Sequence, residues 1–327
     1  MPGLTRVKTY ANKSLVSYGA LTTTRDATLF WMIKESMLYG TNGIKGGGAI
    51  AAWEVVGSSN SVNFNIGGPD LLVSPANIIN GTGNHSWVVL KQPLQGDGPG
   101  FLQVCFDWNS AISYHMSLSF SISAGYTGGS ISARPIATDE VVVFSSAQVL
   151  DNLNQIGSSG VNCLKSTDGK VTRIVVTRDT VFPTRAFWAF EELIDVEAYW
   201  PSKSIVAVCP LTHTGVSGTS NIYNRQGGAH SGRMSWAGVT SYLLSNVSAP
   251  TTMHRPDGGG SWPVYPCGMF NDVGASKGKV GNFADLWAVP YPMPTGEYLA
   301  ADGGGDYQYV NIGGLVFPWV GTPLVLP

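Results

Sequence analysis

The chain has 327 residues; only 12% are charged, 43% are apolar and 11% aromatic, and the formal net charge is −2. That length admits one or two domains of about 150 residues, with a core that needs neither disulfides nor metals. Abundant aromatics with little charge exclude a disordered chain, the shortage of Glu and Lys excludes a coiled coil, and the lack of any basic patch argues against nucleic-acid binding.

Residues 1–23 read as a polar arm without helical periodicity. Arg6, Lys8 and Lys13 are followed by no apolar stretch, so no secretory leader is expected. No apolar run approaches the roughly 18 residues that suggest a bilayer-spanning helix, so no membrane insertion is expected. A helix is predicted next, over Asp26–Tyr39. Thr24 or Asp26 can cap it, Leu29, Ile33 and Met37 recur at i, i+4 and i+8, and Gly40 stops it. Arm and helix together make an N-terminal element, 1–45. Its apolar stripe either packs on its own domain or docks on a neighbouring subunit through Leu29, Ile33 and Met37.

Beyond it, 46–327 is expected to be a β-sandwich-like domain. Strands are predicted near 50–56, 86–90, 101–107, 115–124, 140–144, 171–177, 186–190, 204–209 and 307–312, all rich in Val, Ile and aromatics. The run 115–124 alternates strictly: Met116, Leu118, Phe120 and Ile122 point one way, Ser117, Ser119, Ser121 and Ser123 the other. A solvent face normally carries Lys or Glu, so an uncharged Ser row suits close packing against another sheet or subunit, and Ser117, Ser119 and Ser121 become candidate assembly contacts. Asp168-Gly169 between two strand-like runs signals a hairpin. Residues 211–262, rich in Gly, Ser, Thr and Asn, read as a loop-rich insertion. The fold class is therefore mainly β, antiparallel and sandwich-like, with one N-terminal α-helix and long Gly-rich loops.

Chemistry is sparse. Cys105, Cys163, Cys209 and Cys267 lack CxxC spacing, and Cys105 and Cys209 sit in apolar runs as buried thiols. The five His form no HExxH pair, so neither a metal nor a cofactor is expected. No Gly-x-Ser-x-Gly elbow or phosphate loop occurs. Glu191, Glu192, Asp195 and Glu197 are the one acidic cluster, and they read as a solvated loop rather than a hydrolytic pair. Tyr223 and Trp262, in the loop-rich region, are the candidate surface positions for stacking on a glycan.

The order of several segments resembles a known family. Trp53-Glu-Val-Val-Gly-Ser-Ser-Asn-Ser-Val62 is followed by His85-Ser-Trp-Val-Val-Leu90, Gln103-Val-Cys105, Ala133-Arg-Pro-Ile-Ala-Thr-Asp-Glu140, Lys165-Ser-Thr-Asp-Gly169 and Asn282-Phe-Ala-Asp-Leu-Trp287. This order is similar to that of virion-associated proteins of tailed bacteriophages and prophages, over most of residues 25–320. The resemblance implies a structural virion role with no catalytic residues to carry over. The expectation is a non-enzymatic tail, baseplate or fibre-attachment component, made in the host cytoplasm, whose partners are copies of itself and other virion proteins. A capsid decoration protein or a host-glycan-binding adhesin module is the alternative.

Overall fold

The computed structural model describes residues 5–10, 36–42, 44, 49–58, 85–93, 103–109, 117–123, 125–130, 133–138, 140–145, 159–166, 168–178, 184–194, 205–208, 219–224, 228–235, 251–254, 260–271, 278–289, 298–299, 309–312 and 315–318. In chain order the strands are β1 (Thr5–Tyr10), β2 (Glu54–Ser58), β3 (His85–Lys91), β4 (Gln103–Asn109), β5 (Ser117–Ser123) and β6 (Val141–Ser145). Next come β7 (Ser159–Lys165), β8 (Thr172–Arg178), β9 (Thr184–Phe190), β10 (Ile205–Val208), β11 (Thr219–Asn224) and β12 (Gly228–Ser235). The last six are β13 (Thr251–His254), β14 (Ser261–Asn271), β15 (Gly278–Ala288), β16 (Tyr298–Leu299), β17 (Tyr309–Ile312) and β18 (Leu315–Pro318).

They form three sheets. One is a five-stranded meander, β2-β3-β4-β5-β6. A second runs β1-β7-β8-β9. The third runs β10-β11-β12-β14-β15-β18-β17-β16, with β13 also paired to β14. The fold class is mainly antiparallel β, as the alternation predicts for the sandwich-like class. Two compact units divide the chain: Met1–Arg6, Leu164–Thr167 and Val171–Pro327 form one, Val7–Cys163 and Asp168–Lys170 the other. No helix among the described residues is long and apolar enough to cross a membrane.

Of the predicted helix, only its end lies within the described residues, where 36–38 make one helical turn. Met37 is fully buried, and its carbonyl accepts the Trp53 N–H at 3.0 Å, so this turn is built into the core beside the equally buried Trp53. Leu29 and Ile33 lie outside the described residues. The polar arm holds β1, a strand that helical periodicity does not reveal.

The predicted Asp168-Gly169 turn is present between β7 and β8. Gly169 adopts φ +72°, and a Cβ there would lie 2.8 Å from the Pro93 carbonyl oxygen, so glycine is required twice over. The stretch 211–262 is not loop throughout: it contains β11, β12, β13 and the start of β14. β11 and β12 have the composition of loops, yet β11 pairs along its whole length with β12, from Thr219↔Arg233 to Asn224↔Gly228. Pairing partners outweigh the weak intrinsic strand preference of Ser, Asn and Gly.

In the meander, register separates two faces. Trp87↔Asp107, Val89↔Cys105, Cys105↔Ser121 and Gln103↔Ser123 share one face; Val88↔Phe106, Leu90↔Val104 and Val104↔Ile122 share the other. Val88, Leu90, Val104, Cys105, Phe106 and Ile122 are all fully buried, so the central strands are covered on both faces. This is why β3 reads as a continuous apolar run, Trp87-Val-Val-Leu90, instead of alternating. Burying each such side chain contributes about 1.5–3 kcal/mol. The edge strand β2 differs, with Val55 and Val56 both exposed.

Candidate functional site

Among the described residues, a dense polar grouping lies on the Ser-bearing face of the meander, beneath 125–130, 133–138 and 140, the described part of the strap between β5 and β6. Ser121 is buried by its own chain. It donates a hydrogen bond to Glu140 and lies 2.8 Å from the Tyr126 hydroxyl. A serine has one proton to give; with that proton on the carboxylate, the Tyr126 O–H donates to Ser121. Arg134 closes on Glu140 with both terminal nitrogens, Nη2 at 2.9 Å from Oε2, and its Nε lies 3.9 Å from Asp107. The result is a continuous chain, Tyr126 to Ser121 to Glu140 to Arg134 to Asp107.

The strap is fastened at further points. Tyr126 N–H donates to Gln103 Oε1 at 3.3 Å, Ser123 Oγ accepts the Gly125 N–H at 2.9 Å, and the Trp87 indole N–H donates to the Ser130 carbonyl at 2.9 Å. Tyr126 packs on the cluster of Trp87, Val89 and Cys105. Gly129, at φ +99°, lies flat against Trp87: a Cβ there would come 2.5 Å from the ring. A single antiparallel bridge, Thr127 to Ile136, stiffens the strap itself.

Burial sets the chemistry of the groups underneath. It pushes the Cys105 thiol up to about 12, with the Asp107 charge adding to the effect. Burial also raises the Tyr126 phenol, while the hydrogen bond to Glu140 raises the Arg134 guanidinium. A thiol held protonated is no nucleophile at neutral pH. The thiol's ordinary value is 9.0, so between pH 9 and about 12 the unfolded chain releases a proton that the native chain keeps. Stability is therefore full below pH 9 and falls as pH rises toward 12, by up to about 1.4 kcal/mol per pH unit. Unfolding in urea across pH 8–11 should show this loss, and Cys105→Ala should shallow it. An unchanged slope in Cys105→Ala would assign the loss to other groups.

A second buried charge grouping lies in the other unit. Arg173 on β8 donates from Nε to Glu191 Oε2 at 2.6 Å and from Nη2 to Glu191 Oε1 at 2.7 Å, and also donates to the Ala284 carbonyl on β15. The guanidinium carbon lies 6.0 Å from the centre of the Phe317 ring. Both side chains are essentially fully buried. The solvated acidic loop expected at 191–197 is thus corrected at its first residue, since Glu191 is a core residue clamped by an arginine. Glu192 is exposed, and Asp195 and Glu197 lie outside the described residues. Nothing in the run of acidic residues marks Glu191 as different. Its partner stands 18 residues earlier, visible only as a lone Arg173 inside an apolar strand.

The remaining sequence candidates fall as follows. Ser117 and Ser119 occupy the same face of β5 by register, opposite Asn109 and Asp107. Tyr223 is on β11, opposite Val206 and Ala229. Trp262 is on β14 and half-buried. It packs with Trp287 and Tyr309 around a core of Met253, Val264, Val289, Leu299 and Val316. It is thus a strand residue anchored by its pairing with Met253, not a loop-tip platform, and β12 lies between its strand and that of Tyr223. Cys105, Cys163 and Cys267 are buried thiols; Cys209 lies outside the described residues.

Comparisons of the chain with protein-family models, with curated proteins and with solved structures find no match.

Proposed function

We propose that the protein is a structural component of a tailed-bacteriophage virion that works by assembly, in a tail, baseplate or fibre-attachment position. The observation that carries this reading is the order of segments resembling virion-associated proteins, together with where those segments fall in the fold. Trp53 is a core residue, His85–Leu90 and Gln103–Cys105 lie in β3 and β4, and Ala133–Glu140 carries the Arg134–Glu140 clamp. Parts of several of these segments thus belong to the framework, which suits an architectural role.

Low charge supports the same reading, because uncharged polar surface desolvates cheaply when one patch is reused around a symmetric particle. The charges described above tie segments of the chain to one another. Met37 is integral to the core, so removing residues 1–40 would also remove packing, and assembly is better tested on the full chain. Light scattering over a range of concentrations should give a defined homo-oligomer. Mass spectrometry of purified phage particles from cells carrying the gene should find the chain as a stoichiometric component. A monomer at every concentration, together with absence from particles, would sink the proposal.

A further inference from the structure

We propose that the strap 125–140 is a latch that opens as a unit while the meander beneath it stays folded, and that the Arg134–Glu140–Asp107 ion cluster holds it shut. This goes beyond the virion role and stands or falls without it.

Three observations carry it. First, polar contacts hold the strap near its start through Tyr126, Ser123 and Gln103, at its middle through Trp87 and Ser130, and near its end through Arg134 and Glu140. Among the described residues its apolar anchorage is Tyr126 on the Trp87 cluster, Gly129 against the Trp87 ring and the buried Pro135. Residues 127–130 are exposed, and Ile136 is 64% exposed. Segments with few buried apolar contacts open at lower free energy than the core around them. Second, the strap carries its own pairing, Thr127 to Ile136, and Gly128 and Gly129 adopt φ +73° and +99°, so it can lift without breaking a strand of the sheet. Third, it covers part of the meander face, and two of the residues it covers, Trp87 and Ser121, also help to hold it. Beneath lie Trp87, Val89, Cys105 and Ser121, on the face that bears the Ser row. With the latch shut, Ser121 is unavailable to a second subunit; with it open, Ser121 is presented.

Arg134 is the component that can be released. Its side chain is 25% exposed and those of Asp107 and Glu140 are 9% and 12% exposed, so water reaches the clamp more readily than it reaches the Arg173–Glu191 pair. Removing the Glu140 charge leaves Arg134 without its two-pronged partner and weakens the hydrogen bond from Ser121, because Glu140 is shared by both contacts.

Cys105 reports opening, being buried under the strap, and Cys163 and Cys267 are buried controls elsewhere. The full chain is treated with N-ethylmaleimide in native buffer and each cysteine is followed by peptide mass spectrometry. In Glu140→Gln, Cys105 is expected to react about tenfold faster or more than in the unaltered chain, with Cys163 and Cys267 unchanged. Tyr126→Phe should accelerate Cys105 by a smaller factor. No acceleration, or equal acceleration at all three cysteines, overturns the latch, since either means that Cys105 is reached only through general unfolding. Should Glu140→Gln fail to fold, hydrogen exchange of the unaltered chain decides. Amides of 125–130 and 133–138 exchanging together and ahead of β3, β4 and β5 support the latch; exchange in step with those strands overturns it.

Discussion

Glu191→Gln is expected to lower the unfolding free energy by about 3–5 kcal/mol, measured by urea unfolding with tryptophan fluorescence. The side chains are nearly the same shape, so the cost is electrostatic. Arg173 would keep its positive charge in a site with essentially no solvent access, faced by a neutral amide oxygen, the Ala284 carbonyl and the Phe317 ring in place of a carboxylate. An uncompensated buried charge costs far more than the intact pair contributes, because the pair's mutual attraction is largely spent on its own desolvation. The same logic gives the control. Arg173→Met with Glu191→Leu removes both charges and should recover most of the loss. A cost below about 1 kcal/mol for Glu191→Gln would mean that water enters the site and solvates Arg173. Among the described residues Arg173 Nη1 is buried with no hydrogen-bond partner, so the site has little tolerance for a second defect.

Trp87→Ala should cost a comparable amount, about 3–5 kcal/mol, by the cavity it leaves under the strap. The indole does two jobs: its ring packs with Val89, Cys105 and Tyr126, and its N–H satisfies the Ser130 carbonyl. Trp87→Phe separates them. It keeps most of the apolar contact and loses the hydrogen bond, for an expected cost of about 1–2 kcal/mol. Chemical unfolding of both variants checks the ordering. Equal costs would show that the Ser130 hydrogen bond, and not ring packing, is what Trp87 contributes.

Both residues illustrate what one-dimensional reading reaches. Trp87 is legible as core because it sits in an unbroken apolar run, and such runs occur where a strand is covered on both faces. The free, buried Cys105 is legible for the same reason. The Asp168-Gly169 turn is legible because a left-handed backbone selects glycine whatever surrounds it. Glu191 is not legible, since a carboxylate among carboxylates looks solvated until its partner is known. Trp262 misleads in the opposite direction: Gly-rich neighbours suggest a loop, while pairing with β13 puts it on a core-facing strand position.

The Ser row of β5 marks the boundary between the two kinds of information. Alternation with period two follows from strand geometry alone, so the sequence determined that Ser117, Ser119, Ser121 and Ser123 share one face. What covers Ser121 was decided by the tertiary structure: a strap of the same chain, with Tyr126 and Glu140 on Ser121 and Arg134 on Glu140. The sequence likewise determined the antiparallel β class, because local periodicity and turn chemistry are properties of neighbours along the chain. The pairings Arg173 with Glu191 and Ala284, Arg134 with Asp107, and β11 with β12 were decided by the fold. Their strength depends on distance and burial in space, and neither is written in the spacing of residues along a chain.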